Sequence, residues 1–243
     1  MFDPDSSSIA RLPNPLRMAR ALWRENSPFV MVNLLAYKAQ ATGKHAHLSG
    51  REAYRIYVRS VEKAQAPLGS KLLWSGEVRT QRSGASRHEF GEAGLMQYAS
   101  PAKMLEFILR GASDHGARKA GLEGQWLLAA TTLEYSSHPG HGTITLMELF
   151  GFSDATGEAS AEWRKTRDSA HAAVGATRIW RGRVDSHILG HSDPPIHEVM
   201  VTAFPSGDAL TNALEASGAP VGLRPWWAFE VSTGALLDGL KPD

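Results

Sequence analysis

Leu72-Leu73-Trp74-Ser75-Gly76-Glu77-Val78 is the stretch that decides the fold, because its W-x-G-x-V pattern returns as Trp180-Arg181-Gly182-Arg183-Val184. Around each copy the same elements follow in the same order. An apolar strand leads to a helix, the Trp-Gly strand, a strand ending in an aromatic, a second helix and a last Trp-containing strand. Self-similarity of this kind constrains architecture before any single residue does. The chain reads as duplicated, with a β-α-β-β-α-β plan in each half.

Outward from the first copy, Phe29 to Tyr37 (F-V-M-V-N-L-L-A-Y) is a strand with almost no alternation, as expected where both faces are covered. Ser49 reads as the N-cap of a helix to about Ala66, with Glu52 completing a capping box. Tyr54, Val58, Val61 and Gln65 form its apolar stripe, with Tyr57 beside it. The Trp-Gly strand covers Lys71 to Thr80, and Leu72, Trp74, Gly76 and Val78 are expected on one face, with Gly76 leaving room beside Trp74. A polar hairpin over Gln81 to Gly91 leads to a strand over Glu92 to Ala99. Pro101 opens the second helix, a short helical turn covers Ala117 to Glu123, and Gln125 to Glu134 closes the half.

Residues 136–142, S-S-H-P-G-H-G, are composed as a linker. The second half then runs as strand 143–152, helix 157–174, strand 176–189, strand 196–204, helix 208–216 and strand 225–233. The expected organisation is an N-terminal arm over 1–27, with a short helix from Pro15 to Glu25, a first domain over 28–135 and a second over 143–243.

Composition narrows the function. With 243 residues, 42% hydrophobic, 21% charged and a net charge of +1, the chain has no field suited to nucleic acid or an anionic membrane. No cysteine is present, which excludes disulfides and thiolate chemistry and suits a reducing cytoplasm. No apolar run approaches the roughly 18 residues that would span a bilayer, and Met1 to Ser8 lacks the pattern of an export signal. There is no phosphate loop, no G-x-S-x-G elbow and no dinucleotide fingerprint. Three histidine pairs, His45 with His47, His138 with His141 and His187 with His191, fall in loops or at a strand end without carboxylates at zinc-ligand spacing, so no metal site is expected.

Several stretches together resemble an uncharacterised family of dimeric α+β barrel proteins of ferredoxin-like fold. They are Val30-Met31-Val32-Asn33-Leu34-Leu35, Tyr54 and Tyr57 on the helix, Leu73-Trp74-Ser75-Gly76, Gln97-Tyr98-Ala99-Ser100-Pro101 and Arg118-Lys119-Ala120-Gly121-Leu122-Glu123. The resemblance covers about residues 28–134. Tyr98-Ala99-Ser100 departs from the family's Y-P-S, and its acidic-Pro-Glu-Tyr stretch is missing near Gly111 to His115. The second half follows the pattern loosely, through Trp180-Arg181-Gly182 and Phe204-Pro205-Ser206. The superfamily pairs two such units into a barrel, so the resemblance implies an α+β fold of tandem ferredoxin-like units closing an intramolecular barrel. It also implies a small-molecule pocket, with cofactor-independent oxygenases, isomerases, lyases and haem-binding enzymes among its members. Homo-oligomers remain open.

Polar residues inside buried strands are the informative ones, because an unpaired buried polar group costs a few kcal/mol. The first half offers Asn33, Gln97 and Thr131, the second Glu148, Thr202 and Glu230, and the superfamily's strand order implies that each trio converges in mid-sheet. Glu148, flanked by Met147 and Leu149, is expected to have a raised pKa and to act as a general base, sharing a proton with Glu230. The alternative is an ion pair with Arg178 or Arg167, or exposure at a rim. Trp74 and Trp180 either clamp an aromatic ring or pack the core, and Tyr57 and Tyr98 have the same two readings. Asn33, Trp74 and His115 are similar to the Asn, Trp and His set of haem-degrading monooxygenases in this superfamily. Trp163, Arg167 and His171 make one side of a helix, which could bind an acidic substrate or meet solvent. The function expected is an enzyme without organic cofactor acting on a hydrophobic aromatic or polyketide-like compound. Asn33, Glu148, Glu230 and His115 are the catalytic candidates, and Trp74, Trp180, Tyr57, Tyr98, Gln97 and Arg178 the substrate contacts. Haem binding and a non-catalytic ligand-binding module are the alternatives.

Overall fold

The computed structural model describes residues 27–109, 115–136, 139–140, 142–152, 158–190, 195–218 and 223–234. The expected N-terminal arm and its helix lie outside the described residues, as do parts of the linker. In chain order the first half comprises β1 (Phe29–Tyr37), α1 (Gly50–Gln65), β2 (Lys71–Ser83), β3 (Glu92–Tyr98), α2 (Pro101–Leu109), α3 (His115–Gly121) and β4 (Leu122–Tyr135). The second comprises β5 (Ile144–Phe152), α4 (Glu158–Ala173), β6 (Thr177–Leu189), β7 (Glu198–Phe204), α5 (Gly207–Ser217) and β8 (Leu223–Thr233).

Local chemistry starts the helices where the sequence places them. The Ser49 N–H donates to Glu52 Oε2 at 2.8 Å and the Glu52 N–H donates to Ser49 Oγ at 3.2 Å, closing the capping box. Ser100 Oγ accepts from the Lys103 N–H at the head of α2, and Ser206 Oγ accepts from the Ala209 N–H at the head of α5.

The eight strands close an antiparallel barrel in the order β1-β3-β2-β8-β5-β7-β6-β4. β1 lies between β3 and β4, and β5 between β7 and β8. The halves join along two seams, β2 with β8 and β4 with β6. These seams explain why β2 continues to Ser83 instead of ending at Thr80. Gln81 and Ser83 find backbone partners in Phe229 and Ala228 of the other half.

Alternation assigns the two sheet faces. Val30, Val32, Leu34 and Ala36 point into the barrel, where they meet Trp74, Leu95, Trp126, Leu128, Met147, Trp180, Trp227 and Phe229 in one apolar core. Phe29 and Met31 point outward to the layer that also holds Met104 of α2. The expected face sharing of Leu72 with Trp74 fails, because a β-bulge between them brings Leu73 and Trp74 together into the barrel interior. β6 bulges in the same way between Arg178 and Trp180, and Ile179 joins Trp180 inside.

Register also relates the halves. Trp74 stands opposite Leu95, which stands opposite Val32. Trp180 stands opposite Val201, which stands opposite Met147. One residue further along β1 and β5, Asn33 and Glu148 are therefore counterparts. Gly76 faces Thr233 and Gly182 faces Thr132 across the seams, and each indole donates to the threonine facing its glycine. Trp74 Nε1 lies 3.3 Å from Thr233 Oγ1, and Trp180 Nε1 lies 3.0 Å from Thr132 Oγ1. The two glycines serve different needs. A Cβ at Gly182 would meet the Trp180 ring at 2.2 Å, whereas one at Gly76 would meet the Ser232 carbonyl of β8 at 2.5 Å.

Candidate functional site

Glu148 projects from the outer face of β5, on the side covered by α4 and α5, and is wholly buried. The residue above it is Arg167, also wholly buried, whose Nη2 forms an ion pair with Glu148 Oε1. Trp226 Nε1 donates to the same oxygen at 3.2 Å, and Arg167 Nη1 donates to Ser217 Oγ of α5 at 2.6 Å. The guanidinium lies over two indoles, 5.3 Å from the Trp163 ring centroid and 5.8 Å from that of Trp226. Of the alternatives open from the sequence, the ion pair is made with Arg167. Arg178 instead binds Asp168 and Glu134.

Trp163, Arg167 and His171 do form one stripe of α4, as their four-residue spacing predicts. All three are buried against the sheet, so the solvent-facing reading does not hold. The ring of His171 meets Phe204 edge-on at 5.1 Å. Burial first, then the charges of Arg167 and Arg178, lower its pKa to about 3, so the imidazole is neutral. Burial raises the Glu148 carboxyl, while Arg167 and Trp226 pull it back. The net direction is upward, because burial outweighs both partners and Glu148 Oε2 has no hydrogen bond to offset its lost water.

That oxygen has company. Arg167 Nε, Trp163 Nε1, both ring nitrogens of His171 and Thr202 Oγ1 are also buried without a hydrogen-bond partner. Thr202 sits on the outer face of β7 opposite Leu146, two residues from Phe204. Each such atom costs about 1–3 kcal/mol relative to a satisfied one. Their concentration around one buried ion pair marks this layer as the candidate site.

The other sequence candidates are dispersed. Glu230 is on the same sheet face as Glu148, but its carboxylate pairs with Arg82, so the two do not share a proton. Thr131 donates to Asp185 at 2.6 Å on the exposed part of β4. Gln97 follows Leu95 by two residues and so falls on the inward face, away from the outward Asn33, and the first trio does not converge. Asn33 Nδ2 donates to its own strand at the Met31 carbonyl, 2.9 Å away. Trp74 and Trp180, both fully buried, belong to the barrel interior, so the expected clamp over a sheet-helix pocket is not formed. Tyr98 stacks on Phe29 at 5.3 Å, and Tyr57 lies in the first half beside Tyr54 and His115.

The haem set fails on the same geometry. Trp74 is inside the barrel, Asn33 is on the outer face, and His115 begins α3 with its ring 6.0 Å from Tyr57. These three residues do not surround one space, so they do not fit a shared haem. Among the described residues no cluster of three histidine or acidic side chains suits a metal ion. No helix there is long and apolar enough to cross a membrane.

Comparison with known structures finds the same fold elsewhere. Chlorite dismutase from Candidatus Nitrospira defluvii in complex with imidazole superposes with a TM-score of 0.54 at 12% identity, covering 91% of this chain and 97% of that one. A mutant of the same enzyme in complex with cyanide gives 0.55 at 11% identity, covering 91% and 96%. A protein of unknown function from Rhodopseudomonas palustris is 25% identical over 51% of this chain and 96% of its own, with a TM-score of 0.45. No family model matches this sequence, and no curated protein is similar to it. The architecture is thus a dimeric α+β barrel closed within one chain.

The sequence leaves the Glu148 partner open, gives no sign of Trp226 or Ser217 in its layer, and does not single out Arg118 in the other half. The Arg167 partner was one of two choices, and its four-residue spacing from Trp163 and His171 was the available signal. The buried Arg118 of α3 gave a weaker one, an arginine among Ala117, Ala120 and Gly121, all of them buried.

Proposed function

We propose that this chain is a small-molecule enzyme working without an organic cofactor, in which Glu148 transfers a proton to and from a hydrophobic, aromatic or polyketide-like substrate. The single observation that carries this reading is the buried Glu148 with its unpartnered Oε2, in a layer where Arg167 Nε, Trp163 Nε1, both ring nitrogens of His171 and Thr202 Oγ1 also lack partners. A carboxyl moved towards neutrality by burial is suited to take a proton from carbon and to return it. Arg167 Nε–H is available to the oxyanion that forms when a carbonyl neighbour loses that proton. The Trp163 and Trp226 rings supply the apolar flanks that Trp74 and Trp180 do not. Oxygenase, isomerase and lyase chemistries share this first step. The likeness to chlorite dismutase supports the fold that carries it, and the matching register of the halves supports an origin by tandem duplication.

The test is deuterium incorporation from heavy water into the α-carbon of acetophenone, a simple aromatic ketone, followed by NMR. Exchange faster than in buffer, and lost in Glu148→Gln, is the expected result. Equal rates for the wild type and the variant refute the role of Glu148. A Soret band on addition of haem that vanishes in His171→Ala would replace the cofactor-free reading, because His171 has both ring nitrogens unpartnered.

A further inference from the structure

Arg118 is a buried cation that meets no counter-charge among the described residues. It sits on α3 with 8% of its surface exposed. Its Nη2 donates to Gln125 Oε1, and its guanidinium lies 5.7 Å from the Tyr57 ring centroid. No carboxylate pairs with it among the described residues. Other arginines of the sheet-helix layers do reach one: Arg51 meets Glu92, Arg164 and Arg181 meet Glu198, and Arg167 meets Glu148. An isolated buried guanidinium is costly unless an anion joins it.

The groups around it are donors. Gln125 is 3% exposed, and with its oxygen taken by Arg118 its Nε2 is left without a partner. Burial raises the phenols of Tyr54 and Tyr57, so both stay protonated and able to donate. Their rings lie 5.3 Å apart, and the half-buried Tyr57 meets the His115 ring at 6.0 Å, which provides an aromatic rim.

We propose that Arg118 and Gln125 bind the carboxylate, and Tyr57 the ring, of a small aromatic monoacid in the first half, at a site separate from Glu148. One uncompensated positive charge matches one negative charge. A dianion would add a second, in a region where the carboxylate of Glu92 already acts on Tyr54. The orphaned Gln125 amide supplies a second hydrogen bond to the carboxylate, and Tyr57 gives the ring of the acid a face to lie against.

Benzoate is the probe, with benzyl alcohol as its neutral analogue and inorganic phosphate as the competing anion. Benzoate is expected to raise the Tm of the full chain with increasing concentration, and the other two are not. Arg118→Leu should abolish the rise and Arg118→Lys should retain a smaller one. Intermolecular NOEs from benzoate to the Tyr57 ring in the wild-type protein decide the matter without a variant, should Arg118→Leu fail to fold. No rise with benzoate, an undiminished rise in Arg118→Leu, or a rise with phosphate alone overturns the proposal. So do NOEs to Trp163 or Trp226 in place of Tyr57, which would put the acid in the Glu148 layer. Loss of Glu148-dependent exchange leaves benzoate binding untouched, so the two sites stand or fall separately.

Discussion

Removing one partner of the Glu148–Arg167 pair should cost far more than removing both. Both side chains are wholly buried, and Arg167 has no other acidic partner among the described residues. Glu148→Gln keeps the Trp226 hydrogen-bond acceptor but leaves a guanidinium in an apolar layer, and Arg167→Met leaves a carboxylate there. Each single change should cost about 3–5 kcal/mol, and the double variant should fall near the wild type or above it. For a chain of this size that is a Tm loss on the order of 10 °C for each single variant. Had Glu148 been a lone charge, Glu148→Gln would stabilise, so the sign alone tests the pair. The assay is urea unfolding of all four proteins followed by far-UV circular dichroism, analysed as a double-mutant cycle. Single variants within about 1 kcal/mol of the wild type, or a double variant as unstable as the two singles combined, would refute the reasoning.

Four further outcomes rest on the packing. His171 has a folded pKa near 3, below its ordinary 6.5, so its contribution to stability is present above pH 6.5 and is lost as pH falls towards 3. His171→Phe should flatten that part of the stability profile, and superimposable wild-type and variant profiles would count against a buried neutral imidazole. Glu148 acts in the opposite sense, since its raised pKa favours folding below about 4.5 and loses that contribution as pH rises. Gly76→Ala should destabilise by about 1–3 kcal/mol in chemical denaturation, because its Cβ would meet Ser232 O at 2.5 Å and push β2 from β8. Trp180→Ala should cost about 3–5 kcal/mol by the same assay, yet leave acetophenone exchange unchanged once folded protein is selected, because Trp180 faces the barrel interior.

The fold was legible because its signals are local or periodic. β1 runs from Phe29 to Tyr37 as read, an apolar run bounded by Pro28 and a polar loop, and α1 begins where Ser49 and Glu52 place it. The seams were not legible, since a polar stretch such as Gln81 to Ser83 becomes strand only when β8 of the other half supplies its backbone partners. Bulges hid the faces. Strict alternation puts Leu72 beside Trp74, and the extra residue in β2 replaces it with Leu73. For the site, the sequence identified Glu148 through its apolar neighbours but not its surroundings. A helical stripe carrying Arg167 and His171 reads equally as a solvated face until the sheet is seen to cover it.

What separates the halves becomes clear where they are most alike. Glu92 stands opposite Leu35, two residues beyond Asn33, and Glu198 stands opposite Phe150, two residues beyond Glu148. The two carboxylates are therefore counterparts, and each takes an arginine from the helix above, Arg51 of α1 and Arg164 of α4. Three residues along each helix the likeness ends. Tyr54 follows Arg51 where Arg167 follows Arg164, and the sheet offers Asn33 in the first half where it offers Glu148 in the second. A pair that recurs at matching positions serves the scaffold, by fixing helix to sheet. A substitution of Asn33 and Tyr54 by a fully buried ion pair brings no comparable structural gain, because hydrophobic residues of similar volume would do as well or better. Stability therefore does not explain why the second half places a carboxylate with an unpartnered oxygen beneath α4, and this is the ground for proposing proton transfer there. The same argument applies in the first half, where Arg118 has a cation's cost and no acid among the described residues offsets it. On the same structural frame the second half thus holds a buried ion pair with one unpartnered carboxylate oxygen, and the first a buried guanidinium that no carboxylate pairs among the described residues.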